Sequence, residues 1–187
     1  MKLYCVFSIL FSFLLSAQAV ADDTENLEVR ELIDHVLASL ERGEYAELAD
    51  LYHYPKEWSA DQLKEDKCNM EKNLAYMGER FGKPLSARTF KEAKNYLHLG
   101  IMSASNDFWS NYTQTMTVEL DIEYQKEGSD VLVLELVKIG SEIKLKAIVY
   151  GLKLDSPMAV MRFKEFGQEF TLDRKKRAES GVCTFGI

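Results

Sequence analysis

The sequence predicts an α+β fold, with helices first and an antiparallel sheet after them. Apolar residues recur at helical spacing from about residue 25 to residue 81, and between residues 96 and 154 the period changes to two. A pair of distant cysteines, Cys68 and Cys183, predicts a covalent tie between the third helix and the C-terminal tail.

The chain opens with a short basic start, Met1-Lys2. An uncharged apolar run follows from Leu3 to Leu15, and then the small residues Ser16-Ala17-Gln18-Ala19-Val20-Ala21. This order predicts a secretory signal peptide over residues 1–21, cleaved after Ala21. A membrane anchor competes with that reading, but a spanning helix needs roughly 20 apolar residues and this run is shorter. The expected product is therefore periplasmic or secreted, with a single domain over residues 22–172, a basic C-terminal tail over residues 173–187 and no membrane span. Loss of Lys2, the only charge in the leader, moves the net charge from −7 to −8, which argues against nucleic acid as a partner. Cys5 leaves with the leader, so two thiols remain in an oxidising compartment and one disulfide is expected.

Val29, Leu32, Ile33, Val36, Leu37 and Leu40 mark a first helix that Gly43 ends. A second, from about Glu44 to Tyr52, buries Tyr45, Leu48 and Leu51, and Pro55 forces Tyr54 out of helical geometry. Ser59 and Gln62 have capping-box spacing and open a third helix, whose stripe is Leu63, Met70, Leu74, Met77 and Phe81 before Gly82. Those five lie within about 60° of one another, whereas Cys68 sits roughly 150° away on the polar side. A docked C-terminal segment reaches that side without entering the core. Gly181-Val182-Cys183-Thr184-Phe185, the one moderately apolar stretch of a charged end, suits such docking. A Cys68–Cys183 disulfide is expected, against the alternative of two unpaired thiols.

A loop is expected around Pro84, then a strand from Tyr96 to Met102. Met116, Val118, Leu120, Ile122 and Tyr124 alternate with polar residues in a half-buried strand, and Val131 to Ile139 is apolar on both faces. A two-residue turn at Gly140-Ser141 predicts Leu136 opposite Leu145 and Glu135 opposite Lys146. A three-residue loop Glu127-Gly128-Ser129 predicts Tyr124 opposite Leu132 and Ile122 opposite Leu134. Ser156-Pro157 starts a short terminal helix with Met158, Met161, Phe166 and Phe170 as its apolar contacts. The basic cluster 174–177 is expected in a solvated tail, with anionic lipid or cell-wall polymer as the other possibility.

Three helices before a curved meander, and the stretch Leu40-Glu41-Arg42-Gly43-Glu44-Tyr45 to Leu48-Ala49-Asp50-Leu51-Tyr52-His53-Tyr54-Pro55, resemble the nuclear transport factor 2-like, or cystatin-like cone, superfamily. The resemblance covers roughly residues 25–154. It implies N-terminal helices packed on a curved antiparallel, cone-like sheet. The inner face of that sheet would carry Met116, Val118, Leu120, Ile122, Tyr124, Leu132, Leu134, Leu136, Ile143, Leu145, Ala147 and Val149. Such folds host isomerases, dehydratases, carriers and interaction modules, so fold alone does not assign an activity.

The inner face lacks a carboxylate or imidazole, which weakens proton-transfer chemistry there. The candidate ligand-binding residues are Tyr52, His53, Tyr54, Tyr76, Tyr96, His98, Trp109 and Tyr124, each equally able to serve as a core or hydrogen-bonded side chain. The leading expectation is an exported non-enzymatic module that binds a small apolar ligand or a peptide in an aromatic-lined cone. One alternative is a protein-interaction or accessory module with a filled cone. Another is an acid/base isomerase- or dehydratase-like enzyme using Tyr52, His53 or His98. No cofactor is expected, and the three histidines lack the spacing of a metal site. On the outer face Val131, Val133, Val137, Ile148 and Tyr150 require cover, from the terminal helix or from a second subunit in a homodimer.

Overall fold

The computed structural model describes residues 27–89, 96–102, 115–153 and 157–185, with backbone alone at 89, 96–102, 152–153 and 157–159. The leader and Trp109 lie outside the described residues. Two compact units are present, Met1–Val36 and Leu37–Ile187. Helix α1 spans 27–42, so the boundary falls within it. The first unit contributes the opening turns of α1, and all that follows concerns the second.

The protein is α+β: helices precede a five-stranded antiparallel sheet, and a helix ends the chain. Gly43, at φ +74°, closes α1, and α2 (Tyr45–Asp50) follows at once, burying Leu48 and Ala49. Helix α3 (Ala60–Phe81) starts at the capping box. The Ser59 hydroxyl accepts from the Gln62 N–H at 3.2 Å, and the Gln62 side chain accepts from the Ser59 N–H at 2.9 Å. Such a cap stabilises a helix by about 1 kcal/mol. Met70, Leu74, Met77 and Phe81 are buried, and Gly82 at φ +79° ends the helix. Gly78 allows α2 and α3 to approach closely, since a Cβ there would stand 1.8 Å from the Tyr45 hydroxyl oxygen.

The strands are β1 (Pro84–Thr89), β2 (Tyr96–Met102), β3 (Thr115–Tyr124), β4 (Gly128–Ile139) and β5 (Glu142–Lys153), in the order β1-β3-β4-β5-β2. Strand β1 replaces the loop expected around Pro84. Proline is tolerated there because it is the first residue of an edge strand, where no ladder donor is lost. The β3–β4 loop has three residues as expected, but they are Gln125-Lys126-Glu127. Gly128 pairs with Tyr124, and Leu132 lies opposite Leu120 instead of Tyr124. The register moves by four residues, an even number, so Leu120 and Val118 still meet apolar partners in Leu132 and Leu134, while Ile122 now lies opposite the buried Asp130. Gly128, at φ +78°, supplies the positive φ that such a loop requires.

The Gly140-Ser141 turn and the Leu136–Leu145 pair form as expected. Beyond them the ladder slips, and Glu135 lies opposite Ala147. Lys146 is the extra residue of a β-bulge, and its ammonium still reaches Glu135 at 3.0 Å. One inserted residue exchanges the faces of the strand. Ile148 and Tyr150 therefore join Leu132 and Leu134 on the inner face, while Ala147 and Val149 turn out to join Val131 and Val133 in a buried outer cluster. These four assignments reverse the sequence expectation.

Helix α4 (Pro157–Ser180) begins at the expected proline but has 24 residues, so the basic cluster 174–177 belongs to a helix and not to a tail. It runs antiparallel to α3, and Phe166 and Phe170 pack against Tyr76 with ring centroids 6.0 and 5.4 Å away. Arg177 donates to Asn73 at 2.8 Å, and Cys183 is bonded to Cys68 with Cα atoms 5.6 Å apart. Among the described residues the side-chain partners of α4 are thus on α3 and in the β3–β4 loop, where Arg162 reaches Glu127 at 3.5 Å, and none is in the outer sheet cluster. Met161, expected in the core, is 55% exposed.

Candidate functional site

Phe81 stands at the centre of the inner core. Its ring meets Tyr124 at 5.1 Å, Tyr150 at 5.0 Å and Phe166 at 5.7 Å. Leu120, Ile122, Leu132, Leu134, Leu136, Leu145 and Ile148 fill the same face, each no more than 2% exposed. Tyr124 is a wall of this packing and is itself buried. Burial, then Tyr150 and Asp130, push its hydroxyl well above the usual tyrosine range, so it stays a neutral phenol. Of the aromatic candidates read from the sequence, Tyr124 belongs to this ring cluster, whose other members are Phe81, Tyr150 and Phe166.

Tyr52 and His53 are held by backbone pairing. The His53 N–H donates to the Leu145 carbonyl at 2.9 Å, and the Leu145 N–H donates to Leu51 at 3.0 Å. Strand β2 reaches only to Ala147, so residues 51–53 take the stretch of β5 edge that β2 leaves open. The Tyr52 hydroxyl accepts from the Ile148 N–H at 3.1 Å, just past the bulge. Burial, followed by Lys56 and Lys144, lowers the His53 pKa and favours the neutral ring. The Tyr52 side chain and the His53 backbone therefore have structural duties.

The other candidates lie apart. The Tyr54 hydroxyl donates to the Ala49 carbonyl at 2.6 Å, with Trp58 at 6.1 Å and the Lys67 ammonium 5.6 Å from its ring. Tyr76 is a packing residue between α3 and α4. Tyr96 and His98 fall in β2, opposite Lys153 and Gly151 in rows separate from those of Tyr150 and Ile148. Among the described side chains the structure thus places Tyr52 and Tyr124 in the core, Tyr54 at the α2–α3 corner and Tyr76 in the α3–α4 seam. It does not gather these described side chains into one site.

Sequence reasoning missed an open groove of about 480 Å³ beside the disulfide. Ala46 and Ala49 of α2, Ala60 and Leu63 of α3, and Phe185 form its apolar part. Asp50, Lys64, Lys67 and Glu71 supply the charges. Lys67 donates to Asp50 at 2.6 Å, and the Lys64 ammonium lies 4.1 Å from the Phe185 ring centroid. The disulfide holds Phe185, two residues beyond Cys183, as one wall. The signal for this wall was present in the docking of 181–185 against the Cys68 side. The alanines gave none, because small residues at these positions read equally as helix formers.

Among the described residues no group of three or more His, Cys, Asp or Glu side chains is placed to hold a metal ion. Among them, too, no helix is long and apolar enough to cross a membrane. Comparison of the chain with protein-family models, with curated proteins and with solved structures gives no significant match.

Proposed function

We propose that this protein is an exported protein-interaction module of the nuclear transport factor 2-like plan, with a cone filled by its own side chains. It would receive an apolar segment of a partner polypeptide in the α2–α3 groove. The observation that carries the reading is the inner sheet face, where Leu132, Leu134, Leu136, Leu145 and Ile148 are each 0% exposed. An apolar ligand entering there must displace packed side chains. The groove asks for no such displacement, and its small residues flanked by charges of both signs suit a peptide with an apolar edge and polar flanks. The leader-like residues 1–21 and the disulfide support a periplasmic or secreted location.

Two measurements test this. Thermal unfolding with a panel of fatty acids and steroids is expected to show no saturable rise in Tm; such a rise would restore the ligand-binding cone. A photo-crosslinking residue in place of Leu63 is expected to capture one discrete partner in the periplasm or medium, and Ala49→Trp, which fills the groove, to abolish that adduct. An adduct that survives Ala49→Trp removes the groove from the mechanism.

A further inference from the structure

A separate cleft of about 220 Å³ opens along the α3–α4 seam. Asp66, Asn69 and Asn73, spaced on one face of α3, meet Arg174 and Arg177 of α4 across it. Arg177 donates to Asp173 at 2.7 Å and to Asn73 at 2.8 Å. Two groups are not so engaged. The Asp66 Oδ2 atom is buried and has no hydrogen-bond partner among the described residues. Arg174 stacks over Phe170 at 5.8 Å and pairs with no carboxylate among the described residues.

Packing alone does not account for this pair. A buried carboxylate oxygen without a donor is costly, and native structures supply a partner for nearly all such atoms. Burial and the neighbouring Glu65 raise the Asp66 pKa to about 6, so the carboxyl is largely ionised at neutral pH while still lacking a cation. A carboxyl and a planar donor fork therefore line one small volume, below the roughly 300–1,000 Å³ typical of drug-sized ligands.

We infer that the α3–α4 cleft binds a small zwitterion, its ammonium on Asp66 and its carboxylate on Arg174, of which a free α-amino acid is the simplest form. Asn69 and Asn73 line the cleft as neutral hydrogen-bonding groups. Arg174 suits the carboxylate because its guanidinium offers two parallel N–H donors. This site is independent of the groove proposed above.

Calorimetric titration of the full disulfide-bonded protein tests it, with L-alanine and L-leucine as zwitterions, propionate and ethylamine as single-charge controls, and phosphoethanolamine as the headgroup counterpart. Saturable binding of an amino acid is expected, with each single-charge control at least about tenfold weaker. Asp66→Asn and Arg174→Gln should each weaken amino-acid binding at least about tenfold, the loss of one charge-assisted pair. Lys175→Gln, a charge change outside the cleft, should leave it unchanged. Arg174 is exposed, so its substitution leaves folding intact even if Asp66→Asn does not. No saturable heat with either amino acid, equal binding of propionate, or an unchanged affinity in Arg174→Gln overturns the inference. Tighter binding of phosphoethanolamine overturns the amino-acid assignment.

Discussion

At its Phe81 end the α3–α4 pair is joined by rings, with Phe166 edge-on to Phe81 and Tyr76 against Phe166 and Phe170. At its Cys68 end an Arg–Asn hydrogen bond joins the same two helices, a disulfide ties α3 to the turn just after α4, and a cleft is left between them. Ring packing is non-directional and fills space, so that end is closed and stabilising. Directional polar bonds do not fill space, and the covalent bond there keeps the helices together despite the gap. A helix pair can thus place its stability at one end and its chemistry at the other.

The most severe way to break this comparison is to empty the ring end. Phe81→Ala removes the ring common to three aromatic contacts and is expected to cost about 3–5 kcal/mol in urea unfolding. A loss below about 1 kcal/mol would mean that the core collapses around the gap and that Phe81 is not its centre. Next comes the covalent tie. Replacing Cys68 and Cys183 together by Ala should cost about 2–4 kcal/mol, because the bond closes 115 residues of sequence separation in the unfolded chain. It should also make residues 181–185 the first site of proteolysis, leaving the sheet protected. Unaltered cleavage kinetics would show that polar contacts alone hold this end.

A smaller effect probes the bulge on β5. Tyr52→Phe deletes the acceptor of the buried Ile148 N–H and is expected to cost about 1–2 kcal/mol. Hydrogen exchange at Ile148 should accelerate by about tenfold or more; unchanged exchange would mean that another group takes the proton. This bulge also marks where the sequence stops being legible. Helical phase placed Cys68 on the polar side of α3, the count of two remaining thiols paired it with Cys183, and the capping residues located the start of α3. The period of two found β3, β4 and β5. Periodicity cannot reveal an inserted residue, because Lys146 fits either face, and the insertion interchanged Ile148 and Tyr150 with Ala147 and Val149. The α3–α4 cleft was illegible for a related reason. A cluster of four basic residues reads as a tail, and only the continuation of α4 to Ser180 brings Arg174 and Arg177 opposite Asp66 and Asn73.

The smallest expected effect, and the only gain, sharpens the contrast between the two ends. The ordinary carboxyl value near 3.8 rises to about 6 for Asp66 in the folded protein. Between those values the folded state binds the proton more tightly than the unfolded chain, so stability falls as pH rises from about 4 to about 6 and is level above that. The side chain as a whole is only half-buried, which reduces the cost at neutral pH to about 1 kcal/mol. Asp66→Asn imitates the protonated form. It should abolish this slope, match the native protein below pH 4, and exceed its stability by about 1 kcal/mol at pH 7.5 in denaturant unfolding. A variant less stable than native at pH 7.5 would show that the ionised carboxylate has a partner after all. A gain in stability accompanied by a loss of amino-acid binding would identify Asp66 as a residue kept at a cost to the fold, which is the usual mark of a group retained for binding.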